Sequence, residues 1–263
     1  MLVAKGGVVA GVTINAGAVV SNAGIVKANS ALSAVIGGVV TNANTIEALG
    51  SGAVVKIFGS ITDTGTVLAS GNGAHVELDG GAAILGGKLQ TLAGGKIDAN
   101  NGVLSGVTIA SGSIVDINYN GTLALSGRVA NSGLISALGS PSFATLAISG
   151  AVVLSGGGKV SLPPSGNNQI VAAPGGGTLS NINNTIAGAG FIGGGGLALV
   201  NSGIINANAV STLFLNANTI NASKLEATAS GGTLLLLGAN ISNTGSGTIL
   251  ASAAARTLSL TVP

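Results

Sequence analysis

The feature that most limits what this chain can fold into is a short motif that returns at nearly fixed intervals. Asn22-Ala23-Gly24-Ile25-Val26-Lys27-Ala28 comes back as Asn42-Ala43-Asn44-Thr45-Ile46-Glu47-Ala48. It returns again as Asn131-Ser132-Gly133-Leu134-Ile135-Ser136-Ala137 and as Asn201-Ser202-Gly203-Ile204-Ile205-Asn206-Ala207. Weaker copies open at Asp63 and Asn221, so successive copies lie 20, 21, 68, 70 and 20 residues apart. Intervals of about twenty residues, or about three times that, describe one supersecondary unit repeated along the chain. A second pattern, Gly11-Val12-Thr13-Ile14 followed by Gly17, returns as Gly106-Val107-Thr108-Ile109 followed by Gly112.

Within each copy the side chains alternate. Val26 and Ala28 share one face while Ile25 and Lys27 share the other, and Ile46 and Ala48 oppose Glu47 in the same way. A period of two is the strand period. Short alternating runs punctuated by Asn, Gly and Ser turns predict an all-β fold: a right-handed parallel β-helix, or β-solenoid, with coils of about 20 residues spaced about 4.8 Å apart. Residues 1–263 are expected to form a single solenoid of about a dozen coils. Proline removes a ladder donor, so irregular loops are expected near 138–145, around Pro141, and near 163–177, across Pro163, Pro164 and Pro174.

Composition agrees with thin layers. Hydrophobic residues make up 46% of the chain, mostly Ala, Val, Ile and Leu, with one Tyr, four Phe and no Trp, so a narrow core of small side chains is favoured. Charged residues are only 6%, and nine Lys and Arg face seven Asp and Glu, too few and too scattered for a nucleic-acid surface. There is no Cys, which excludes disulfides, thiol catalysis and zinc-thiolate sites. No apolar run reaches the roughly 18 residues of a membrane helix. Met1 to Lys5 imitates the charged end of a signal peptide, but Gly7 to Val20 reads as strand, and any export signal is expected outside this stretch.

Stacking assigns a role to the Asn that opens each motif. Asn tolerates turn conformations, and its amide can bond to the Asn one coil away, so Asn22, Asn42, Asn131, Asn201 and Asn221 are expected to form a structural ladder. Lys27 and Glu47 occupy equivalent outward positions and are expected to form an exposed ion pair worth about 0 to 1 kcal/mol.

The stretches Gly158-Lys159-Val160-Ser161-Leu162, Asn167-Asn168-Gln169-Ile170-Val171 and Thr178-Leu179-Ser180-Asn181-Ile182-Asn183-Asn184-Thr185-Ile186 carry a resemblance, continued by Leu197 to Ala207 and by Leu225 to Gly232. They resemble the repeats of very large secreted β-strand-repeat proteins of Gram-negative bacteria, similar to autotransporter passengers and filamentous-haemagglutinin-like adhesins. The resemblance covers residues 155–255 well and the first half in style. It implies a scaffold that is secreted or displayed at the cell surface, and it carries no catalytic residue over. The chain is much shorter than such proteins and shows no membrane-barrel end.

Motifs with chemical overtones fail on context. Gly188-Ala189-Gly190-Phe191-Ile192-Gly193 spells the dinucleotide fingerprint, yet Gly194, Gly195, Gly196 and an alternating strand follow where a helix should. Gly87-Lys88, Gly95-Lys96 and Gly158-Lys159 lack the Ser or Thr of a phosphate loop. No cofactor is therefore expected. The best chemical candidate is Ala74-His75-Val76-Glu77-Leu78-Asp79, which puts the single His and two carboxylates on one strand face, with Asp98 about one coil later and Asp116 roughly one more. Such a face could take a cation or run acid–base chemistry, whereas an outer strand face needs polar residues for solubility alone. No metal site is assigned, and His75, Glu77 and Asp79 are its weak candidates.

The reading that follows is a non-catalytic structural or adhesive segment of a bacterial extracellular or cell-surface protein, not an enzyme. The alternative is a carbohydrate-active β-helix enzyme using the His75, Glu77 and Asp79 face. An ice-binding array is disfavoured because Thr13, Thr66, Thr108 and Thr248 are scattered. Strand patterns beginning at Val8 and running through Thr257 to Val262, with little net charge, lead to an expectation of head-to-tail self-association into filaments, unless flanking domains supply caps.

Overall fold

A computed structural model describes residues 2–3, 5–164, 167–237, 240–251 and 257–261. The strand pairings with a described register are parallel, and an isolated bridge between Asn29 and Leu32 is antiparallel. No helix occurs among the described residues. The fold is an all-β solenoid. Its contacts divide into two compact units: residues 1–116 with 132–134, and residues 117–131 with 135–263.

In the first unit three stacks of parallel strands build the coils. Val19–Asn22, Val39–Asn42 and the start of Ser60–Ser70 form one stack; Ile25–Asn29, Thr45–Leu49 and the end of Ser60–Ser70 form the second. Ala34–Ile36, Val54–Ile57, His75–Leu78 and the start of Lys96–Ser105 form the third. The strands form because the alternation gives each coil an apolar set that only a neighbouring coil can complete. Val26, Ile46, Val67 and Leu89 lie in one inward column, and all are fully buried. Ala28, Ala48 and Ala69 line the next, where small side chains keep the core narrow. Each fully buried Val, Ile or Leu contributes about 1.5–3 kcal/mol.

The second unit repeats this plan. One stack carries the column Leu123, Leu146, Ile170, Ile192, Leu215 and Leu236. Another joins Lys159–Leu162, Thr185–Gly188, Ile204–Ala207, Lys224–Ala227 and Thr248–Ala251. Coil length drifts here: Leu146 pairs with Ile170, whereas Leu215 pairs with Leu236. The surplus is taken up by register shifts at the corners, as between Ile170 and Gly177 or between Gly193 and Ala198.

Two expectations need correction. Pro174 does not lie in a loop, because the strand Asn168–Asn181 runs through it. Residues 173–176 have no ladder partner on either neighbouring strand, so the missing proline N–H is not required. The irregular segment near Pro141 spans 138–143, and near Pro163 the described residues outside strands are Pro163, Pro164 and Asn167. Lys27 and Glu47 are register partners, but they form no ion pair among the described residues. Two long, half-buried side chains whose charged ends reach water gain too little at strand spacing to be held together. At the end of the chain, Thr257–Thr261 pairs with Thr233–Leu237, while Val262 and Pro263 lie outside the described residues.

The stretch that spells a dinucleotide fingerprint is a strand corner. Thr185–Gly188 and Gly190–Asn201 are strands, with Ala189 buried between them. A Cβ at Gly188 would collide with the carbonyl oxygen of Leu162, and its φ of 133° is closed to other residues, so the glycine serves coil stacking.

Candidate functional site

The charged face of the first unit lies on the third stack. Ala53, Val55 and Ile57 point inward on one strand, Ala74, Val76 and Leu78 on the next, and Ile97 and Ala99 on the third. Alternation then sends Lys56, His75, Glu77, Lys96 and Asp98 outward. Register places Lys56, Glu77 and Asp98 in one column, with His75 beside Lys96 in the adjacent one. The expected one-coil step from Glu77 to Asp98 is the observed pairing.

Each ionisable group in this patch meets a partner on a neighbouring coil. Lys56 Nζ lies 3.1 Å from Glu77 Oε2, and Lys96 Nζ lies 2.7 Å from Asp116 Oδ2. His75 Nδ1 is hydrogen-bonded to Asp98 Oδ2, and Asn100 Nδ2 donates to Asp79 Oδ1 at 2.7 Å. The hydrogen bond to Glu77 raises the Lys56 pKa above the usual lysine value, and the bond to Asp116 does the same for Lys96. Burial raises the Asp98 carboxyl above the ordinary aspartate range, outweighing the hydrogen bond and charge of His75, and nearby Asp116 pushes the same way.

His75, Glu77 and Asp79 therefore do not converge. They turn to Asp98, Lys56 and Asn100 respectively. Among the described residues no group of three or more His, Cys, Asp or Glu could hold a metal ion. Chemically, the arrangement braces one coil against the next. Lys56, Lys96 and Asn100 as partners escaped the sequence reading, although each stands about one coil from its acid, at the spacing of the repeat itself.

The asparagines make a second, buried arrangement. In the first unit Asn22 Nδ2 donates to Asn42 Oδ1 at 2.7 Å, and Asn42 Nδ2 donates to Asp63 Oδ1 at 2.7 Å. Each side-chain oxygen also accepts the backbone N–H two residues on, from Gly24, Asn44 and Gly65. This closes the local turn while the amide reaches to the next coil. In the second unit Asn181 donates to Asn201, Asn201 to Asn221 and Asn221 to Asn243, at 2.9, 2.8 and 2.9 Å. Asn131 donates to Asn184, 53 residues away. Asn22, Asn42, Asn131, Asn181, Asn184, Asn201 and Asn221 are fully buried. Asn181, Asn184 and Asn243 were not anticipated, although Asn181 stands 20 residues before Asn201.

No family model matches the chain, and no curated protein matches it. Among solved structures it is similar to a hyper-glycosylated TibA fragment, the product of TibC catalysis. Identity is 16%, 94% of this chain and 93% of that one are covered, and the TM-score is 0.29. No described helix is long and apolar enough to cross a membrane.

Proposed function

We propose that the chain is a non-catalytic structural or adhesive β-solenoid segment of a bacterial extracellular or cell-surface protein. The observation that carries the reading is where its polar chemistry is spent. Buried amides bond coil to coil along the Asn22–Asn42–Asp63 and Asn181–Asn201–Asn221–Asn243 runs, and the carboxylates Glu77, Asp98 and Asp116 are each engaged across a coil. Groups arranged for catalysis converge on a space where a substrate atom can sit. These diverge along the stack. The sequence resemblance to secreted β-strand-repeat proteins supports an exterior location.

The test compares the chain with its Glu77→Ala and Asp79→Ala variants in a polysaccharide cleavage screen, alongside protease digestion. The expected result is no turnover by any of them and slow digestion of the wild type. Cleavage of a polysaccharide that is lost in either variant would replace this reading with the carbohydrate-active one.

A further inference from the structure

Asp63 ends the asparagine run of the first unit with a carboxyl group. Its Oδ1 accepts from Asn42 Nδ2 at 2.7 Å and from the Gly65 backbone N–H at 2.8 Å. Its Oδ2 is enclosed and has no hydrogen-bond partner, and the residue is only 3% exposed. The following coil supplies no donor at that place. The register partner of Asp63 is Gly86, and Gly87 sits so close that a Cβ on it would collide with Oδ2.

No charged group faces this carboxyl from the strands packed on it. Val39–Asn42 contributes Asn42, and Ala82–Leu92 contributes Gly86 and Gly87, while its Lys88 is exposed on the outer face. Glu47, on Thr45–Leu49, lies on the outer face as well, in register with Leu68. A buried carboxylate needs donors on both oxygens or a cation, and here one oxygen has neither. The neutral acid, with its proton on Oδ2 and Oδ1 left as acceptor, keeps the two bonds that are made and leaves an uncharged O–H without a partner, which costs less than a bare buried charge.

We propose that Asp63 is a proton-operated rung: the folded unit holds it as the neutral acid, and release of that proton to solvent loosens the coils it joins. Burial raises its pKa, against the weaker opposing effects of the Gly65 and Asn42 hydrogen bonds. The sign follows from linkage. A folded-state pKa above the unfolded one gives a contribution that is complete below the ordinary aspartate range and is lost as pH rises through the folded value. The solenoid is therefore tightened by acid at this position. Asp98 is raised in the same direction, so the readout is the difference between wild type and Asp63→Asn, which keeps an acceptor at Oδ1 and cannot titrate.

Thermal melts of the full chain from about pH 4 to about pH 8 supply the first measurement, and carbon NMR of aspartate carboxyls in the wild type the second. The wild-type midpoint is expected to fall by several degrees relative to the variant as pH rises, and two aspartate carboxyl resonances, those of Asp63 and Asp98, are expected to titrate above the ordinary aspartate range. Parallel midpoints across that span would overturn the proposal, as would Asp98 being the single one of the four aspartates whose carboxyl titrates above that range. Should the variant fail to fold, the carboxyl titration of the wild type decides alone.

Discussion

Asn201 shows how much one side chain is asked to do. Its amide donates to Asn221 and to the carbonyls of Gly203 and Lys224, and its oxygen accepts from Asn181. In Asn201→Ala the Asn181 amide and the Asn221 oxygen each lose one buried partner and keep another, Asn184 and Ser223 respectively, and a total loss of about 1–3 kcal/mol is expected in urea unfolding. A change below about 0.5 kcal/mol would mean that water replaces the rung. A glycine pair makes the complementary point. Gly112, at φ 76°, has open space around the position of a Cβ, whereas Gly188 is blocked by a backbone carbonyl. Gly112→Ala should cost about 1–2 kcal/mol from its left-handed conformation alone, and Gly188→Ala clearly more in the same melt. The contacts Asn22–Asn42 and Asn201–Asn221 fall at the 20-residue spacing of the repeat, whereas Asn131 meets Asn184 at 53 residues, a partner that the spacing does not indicate. The acid that follows Asn22 and Asn42 was legible as a weaker repeat, but its unpaired oxygen was not, since that depends on Gly86 and Gly87 falling opposite it.

On the scale of strands, register was readable and pairing was not. Alternation puts Lys27 beside Glu47 and Glu77 beside Asp98, as the structure has them. Which side chains then join depends on reach and burial. His75 sits in register with Lys96 but bonds diagonally to Asp98. Lys56 and Glu77 have side chains 45% and 23% exposed, whereas Asp116, held by Lys96, is 5% exposed. A double-mutant cycle on Lys56 and Glu77 should return a coupling of about 0–1 kcal/mol. Lys96→Ala leaves a nearly buried carboxylate without its cation and should destabilise by more, about 1–3 kcal/mol in chemical denaturation. Equal losses at the two lysines would show that burial of the acid does not set the outcome. Pro174 was misread for a related reason. Proline's missing donor argues against a strand only where a ladder bond is due, and the bulge at 173–176 makes none due.

For the molecule as a whole, stability rests on apolar columns and neutral amides, with two lysine–carboxylate ion pairs and the His75–Asp98 hydrogen bond among the described residues. Salt should therefore matter little. Raising ionic strength from about 0.1 M to about 1 M shortens the screening length from about 10 Å to about 3 Å. The melting midpoint is expected to move by no more than about 4 °C, and a drop beyond about 8 °C would show that the charges carry more than the ladder. The stacked registers also act as an error-correcting frame. Coils differ in length, yet Asn181, Asn201, Asn221 and Asn243 still meet, because the shifts between Ile170 and Gly177 and between Gly193 and Ala198 cancel each surplus before the next rung. A frame that resets once per coil keeps any local miscount local. Residues added at 173–176 have no ladder bond to break and should leave the rungs on either side in phase, so this corner is a natural port for grafting a peptide. The same insertion between Asn201 and Ile204 would fall inside the turn that sets the phase and would break the bond that Asn201 makes to the Gly203 carbonyl there.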